Sequence, residues 1–185
     1  MTIKEISTEI SLTRPAIYNY FETKEEILLG LLAREYRLWC EELEGLIPLA
    51  GGFTRRELAR EMAHTLADKA TLLRILNMNL YEIEQNSRIE RLAEFKKLYQ
   101  RALNAMSRLL RSYKTEITDS QCAEFCETFC AYLFGVYPFA FHSQKQLDAM
   151  KLAGVTVKET SICDMVCRCL VRLIPDKQKS EEFNL

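Results

Sequence analysis

Glycine and proline are scarce in this sequence, with six and four in 185 residues, and that scarcity argues against a turn-rich sheet protein. Histidine is scarcer still, at two residues. There is no His-Glu-x-x-His pair, no Gly-rich phosphate loop and no nucleophile elbow, so the sequence offers no recognisable catalytic constellation and is expected not to be an enzyme. No window approaches the roughly 18–20 uncharged apolar residues that span a bilayer, and the N-terminus lacks the layout of a secretory signal. A membrane partner is therefore not expected. The net charge of −1 gives no global electrostatic case for nucleic acid, so any such case must rest on local residues. Seven cysteines, an odd number set within helical patterns, do not form a secreted disulfide framework. A reducing cytoplasm is the expected location.

What the sequence has is helical punctuation. Ser or Thr followed three residues later by Glu or Gln recurs as Thr2-Glu5, Thr23-Glu26, Thr54-Glu57, Ser87-Glu90, Thr118-Gln121 and Thr156-Glu159. In a capping box the hydroxyl accepts from an orphan backbone N–H, and the longer side chain reaches back to the cap's own N–H. Apolar residues three and four apart follow each pair. The pattern predicts an all-α chain, with helices at about 3–10, 14–20, 24–46, 55–68, 70–86, 88–114, 119–142 and 157–173.

The first 26 residues pair two short helices across the turn Ser11-Leu12. Ile3, Ile6 and Ile10 form one face, and Ile17 and Phe21 face inward from the second helix, where Pro15 is harmless in the first turn. Arg14, Ala16, Tyr18, Asn19 and Tyr20 remain outside. Arginine can read a guanine edge, asparagine can pair with adenine, and tyrosine hydroxyls suit phosphates. A helical hairpin with a solvated face is the plain alternative.

The runs Thr2-Ile3-Lys4-Glu5-Ile6, Ser11 to Phe21 and Thr23-Lys24-Glu25-Glu26-Ile27-Leu28 resemble the DNA-binding signature of the tetracycline-repressor family. Its Tyr-x-x-Phe-x-x-Lys-x-x-Ile core appears as Tyr18, Phe21, Lys24 and Ile27. The resemblance covers about the first 35 residues closely. It implies a helix-turn-helix head, with its connecting helix, over residues 1–46. A helical ligand-binding and dimerisation body over 47–185 would follow. By that resemblance Thr2, Tyr18, Tyr20 and Lys24 hold phosphates, while Thr13, Arg14, Pro15, Ala16 and Asn19 face bases of a double-stranded palindromic operator. Two departures accompany it. Ser11 stands where the family places a turn glycine, and the family's head opens with a further helix ahead of this motif, so the head is expected to lack its first helix. Residues 1–39 carry five Lys/Arg against six Asp/Glu, so binding would lean on positioned helix ends and few contacts.

Within the body, Met62, Leu66, Met78, Met106, Phe134 and Tyr137 are candidates for an adaptable apolar pocket, as is Tyr99 on the amphipathic helix 88–114. Core packing competes for each of them, and for Trp39. Asn79 falls in the apolar stripe of Leu72, Leu76 and Ile83 and needs a partner, for which a ligand, a protein group and water are the alternatives. The expected effector is a small apolar or amphipathic molecule, with no cofactor. The cationic face of helix 88–114 reads as solvated. Helix 119–142 is apolar nearly all round, and with the last helix it suits the four-helix dimer interface that the resemblance implies. Phe125, Cys126, Phe129, Cys163, Val166 and Leu170 are the candidates for its centre. The thiols at i, i+4 spacing read first as small core hydrophobes, with thiol sensing and metal binding left open. Together these readings describe a ligand-responsive dimeric regulator, expected to be a repressor. The rival readings are a helical ligand-binding or chaperone-like interaction dimer that never touches DNA and an unspecified helical enzyme.

Overall fold

The structure is a computed structural model, and it describes residues 21–176. Eight α-helices and one 3₁₀ helix make up the described residues, with no strand among them. They are α1 (Lys24–Leu46), the 3₁₀ segment Ile47–Gly52, α2 (Arg55–His64), α3 (Ala70–Asn77), α4 (Leu80–Gln85), α5 (Ile89–Tyr113), α6 (Asp119–Ala140), α7 (Gln144–Leu152) and α8 (Ile162–Leu173). The two short helices expected before residue 21 lie outside the described residues.

Local chemistry sets most boundaries. Thr54 with Glu57 and Thr118 with Gln121 form complete capping boxes at the starts of α2 and α6. Thr23 caps α1, accepting from the Glu26 N–H, but the Glu26 carboxylate turns to other donors instead of closing the box. Ser87 is not a cap. Its hydroxyl donates to the Ile83 carbonyl, and Arg88 stands at the N-cap of α5. The stretch 70–86, expected as one helix, breaks at Met78 and Asn79, because the Asn79 side chain accepts from the Glu82 N–H and starts α4 anew. The helix expected from 157 starts at Ile162, capped by Ser161, which accepts from the Asp164 N–H. The segment after α6, expected as a loop, holds α7. Ser143 and Gln146 form its capping box, and Gly154, at φ +68°, ends it through Val155 N–H donating to the Met150 carbonyl.

One core joins these helices except α7, which has no buried residue. α1 packs along α5, with Tyr36 edge-on to Trp39 and Phe95. Trp39 is fully buried, and its indole N–H donates to Thr65 Oγ1 at 2.9 Å, which in turn donates to the Met62 carbonyl. The Trp39 ambiguity therefore resolves as core. α8 lies on α2 and α6 through Ile162, Val166 and Leu170. Outside the core, Arg101 makes a two-bond pair with Glu44 (2.8 and 2.6 Å), tying α5 to α1. Arg111 pairs with Asp119 across the α5–α6 turn. Part of the cationic face of α5 is thus paired rather than simply solvated.

Candidate functional site

α5 and α6 run antiparallel, as three thiols record. Cys122 Sγ reaches the Ser107 carbonyl, Cys126 Sγ the Leu103 carbonyl and the Ser107 hydroxyl, and Cys130 meets the Tyr99 hydroxyl. The partners descend in number as the cysteines ascend. Small thiols at every fourth position let the helices meet along this line without filling the space beside it. A half-open groove of about 500 Å³ follows the seam. Tyr99, Leu103, Cys126, Cys130, Ala131 and Phe134 give it an apolar wall, while Gln100, Asn104 and Ser107 supply polar atoms. At one end stands the Arg111–Asp119 pair, which also lines the groove.

Pro138 helps shape the opposite end. A proline two residues before the end of α6 has no N–H for the Phe134 carbonyl four residues back, and its ring crowds that oxygen. Asn77, the last residue of α3, donates its amide N–H to Phe134 O at 3.2 Å instead. The backbone that carries the Phe134 ring into the groove is thereby tied to α3.

Burial holds the groove thiols protonated. It raises Cys122 and Cys126 and pushes Cys130 up to about 11. Tyr99 is raised to about 12, first by its own burial. The wall therefore presents neutral S–H groups to a bound molecule at neutral pH, not thiolates. All seven cysteines are free thiols. Among the described residues no cluster of three or more His, Cys, Asp or Glu side chains is arranged to hold a metal ion.

The eight expected ligand residues separate into groups. Tyr99 and Phe134 line the groove. Met62, Leu66 and Met106 are fully buried in the core, and Met78 and Tyr137 are half-buried against it, with Tyr137 stacked on Phe141. Leu72, Leu76 and Ile83 are buried, but Asn79 is exposed and caps α4, so it stands outside their stripe and its side chain already has a protein partner in the Glu82 N–H. The polar side of the groove, Gln100, Asn104 and Ser107, went unmarked in the sequence. Its signal was small and amide residues on the one face of 99–111 that lacks large apolar side chains.

The expected dimer centre also needs correction. Phe125, Cys126, Phe129, Val166 and Leu170 are all at most 5% exposed within a single chain, so their surface is already used in its own core. Cys163 is half-buried, with Sγ 3.8 Å from His64 Nδ1 on α2. The faces of α6 and α8 that remain open carry Thr128, Ala131, Tyr132, Gly135 and Phe139, and Met165, Arg168, Cys169 and Arg172. Of the expected DNA contacts, Lys24 is exposed in the first turn of α1. Thr2, Thr13, Arg14, Pro15, Ala16, Tyr18, Asn19 and Tyr20 lie outside the described residues.

Fold and groove define an all-α domain built round one core, with a solvent-open site along an antiparallel helix pair. The chain belongs to the tetracycline-repressor family: the family model described as Tetracyclin repressor-like, C-terminal domain, matches residues 33–160. That places its body among the C-terminal domains of ligand-binding regulators. No curated protein matches the chain. No helix of the described residues is long and apolar enough to cross a membrane.

Proposed function

We propose that this protein is a cytoplasmic, ligand-responsive transcriptional repressor that binds a palindromic DNA operator as a homodimer. It would let go when a small apolar or amphipathic molecule fills the α5–α6 groove. The observation that carries the reading is that groove, of about 500 Å³, inside a body that matches the family over residues 33–160. A volume of this size suits a small organic molecule, and an apolar wall facing a few amides and hydroxyls suits one with an apolar body and a polar edge. The groove wall and the N-terminus of α5 belong to one helix, so displacement at Tyr99–Arg111 has a direct route toward the entry of the chain. The dimer would form on the outward faces of α6 and α8, where Gly135 allows close approach and Tyr132, Phe139 and Met165 supply apolar area.

The test has two arms on the full chain. Selection from random duplexes should enrich a short palindrome, and Arg14→Ala or Asn19→Ala should relax its base preference while Lys24→Ala flattens the salt dependence. A chemically broad library screened by thermal shift should yield a molecule that weakens operator binding, and operator must weaken that molecule's binding by the same factor. Sequence-blind, weak DNA binding would overturn the reading.

A further inference from the structure

Beyond the groove, a dense polar constellation among the described residues lies at the start of α1. Glu26, in the first turn of α1, has a fully buried side chain. Its Oε1 accepts from the Arg88 backbone N–H (3.0 Å) and from Arg88 Nε (2.7 Å). Its Oε2 accepts from Arg88 Nη2 (2.8 Å) and the Glu22 backbone N–H (2.9 Å). Arg88 Nη1 also lies 3.1 Å from the Glu22 carboxylate, and Thr23 Oγ1 donates to the Asn86 carbonyl at 2.9 Å. One turn further along α5, the Arg91 guanidinium lies 5.9 Å from the centroid of the Phe21 ring, which packs against the open side of Gly30. Residues 21–26 are thus held by residues 86–91 through charge-assisted bonds and a ring contact.

An ion pair that buries its carboxylate, as this one does while Arg88 stays partly exposed, is a weak source of stability, because well-packed apolar residues of similar size often do as well. What a fork of four aimed hydrogen bonds adds is direction. We propose that Glu26 and Arg88 are positioning residues that fix the angle at which the segment before Phe21 leaves the body. In a dimer that angle sets the distance between the two DNA-reading segments. The half-site spacing that the protein accepts is then a property of this ion pair, separate from the bases read within each half-site. The spacing consequence rests on the regulator reading above; the fixed joint does not.

The experiment uses the full chain unmutated, as Glu26→Gln, and as the double variant Glu26→Met/Arg88→Met, which removes both charges together and so avoids stranding one of them. Hydrogen exchange is followed at residues 21–23 and 86–88. Each protein is also offered random duplexes whose half-sites are separated by variable spacers. The double variant should melt close to the unmutated protein and exchange at least about tenfold faster at the Glu22 and Arg88 amides. It should tolerate a wider range of spacers while keeping the base preferences of each half-site. Glu26→Gln should fall between the two, which gives a folded reference should the double variant unfold. Unchanged exchange together with an unchanged spacer preference in either variant would overturn the proposal. Should the unmutated chain select no duplex at all, the regulator reading fails. Exchange then decides the joint alone: local loss of protection with an intact body supports it, and unaltered rates overturn it.

Discussion

Trp39 is the chain's only tryptophan, and its indole N–H is satisfied by a single threonine hydroxyl, Thr65, in the core. Thr65→Val keeps the shape and removes the acceptor, so it should cost about 1–3 kcal/mol for an unsatisfied buried donor, read by urea unfolding with Trp39 fluorescence as the signal. Glu26 ties stability to pH in a defined direction. The Arg88 guanidinium first of all, with the backbone N–H groups of Glu22 and Arg88, holds its carboxyl down to about 2 against the usual 4.5. A lowered carboxyl stabilises the fold fully above the unfolded value, and that contribution drains away as pH falls from about 4.5 toward 2. Acid titration of the unfolding midpoint should therefore show a fall over that window that Glu26→Gln lacks. None of this was visible at the sequence level. Thr23-Glu26 read as an ordinary capping box, because nothing local announces that a carboxylate will meet an arginine sixty-two positions away.

Helices were legible where cap and periodicity agreed, as in α1, α2 and α6, or where periodicity alone sufficed, as in α5, and less so where a side chain had two uses. Asn79 sat at an apolar spacing and so looked like the interior of a long helix, yet its amide competes for the backbone and restarts the chain as α4. Ser143-Gln146 was a valid capping signal hidden behind a run of aromatics that extended α6 on paper, and α7 is exposed enough to leave no apolar stripe behind. The groove escaped for a related reason: it arises from what lies between two helices, and Tyr99 and Phe134 were named only because they are large. Its shape depends on Asn77. Asn77→Ala leaves the Phe134 carbonyl with neither a helix N–H nor an amide, and should cost about 0.5–1.5 kcal/mol and loosen the last turn of α6. Hydrogen exchange confined to residues 137–141 checks it. The cysteines on α6 were correctly legible as small core residues, and burial should make them slow. Alkylation at pH 7.5 should spare Cys40, Cys122, Cys126 and Cys130 in the folded protein while half-buried Cys167 reacts.

At the scale of the whole molecule, two substitutions separate self-association from folding. Val166 is buried in the chain's own core, so Val166→Asp should cost several kcal/mol and yield insoluble protein, whatever the oligomeric state. Gly135 faces outward on α6 with nothing within 4 Å of an added Cβ. If the proposed dimer forms there, Gly135→Arg should fold and sediment as a monomer, melting lower than the unmutated protein because it loses the stabilisation of association, and the unmutated protein should sediment as a dimer. A dimer retained in Gly135→Arg would place the contact elsewhere. The sequence allowed the expectation that α6 and α8 carry excess apolar surface, but not which side of each is spent inside, since that depends on how α2 lies against α8. The same packing bears on how the protein is made. The inner face of α2, with Leu58, Ala59 and Met62, is closed by α8, roughly a hundred residues later in the chain. At ordinary translation speeds of about 5–20 residues per second, α2 waits roughly 5–20 s on the ribosome for the helix that covers it. Nascent chains stalled before residue 162 should therefore hold that face open to chaperones, and chains released only after residue 174 should not.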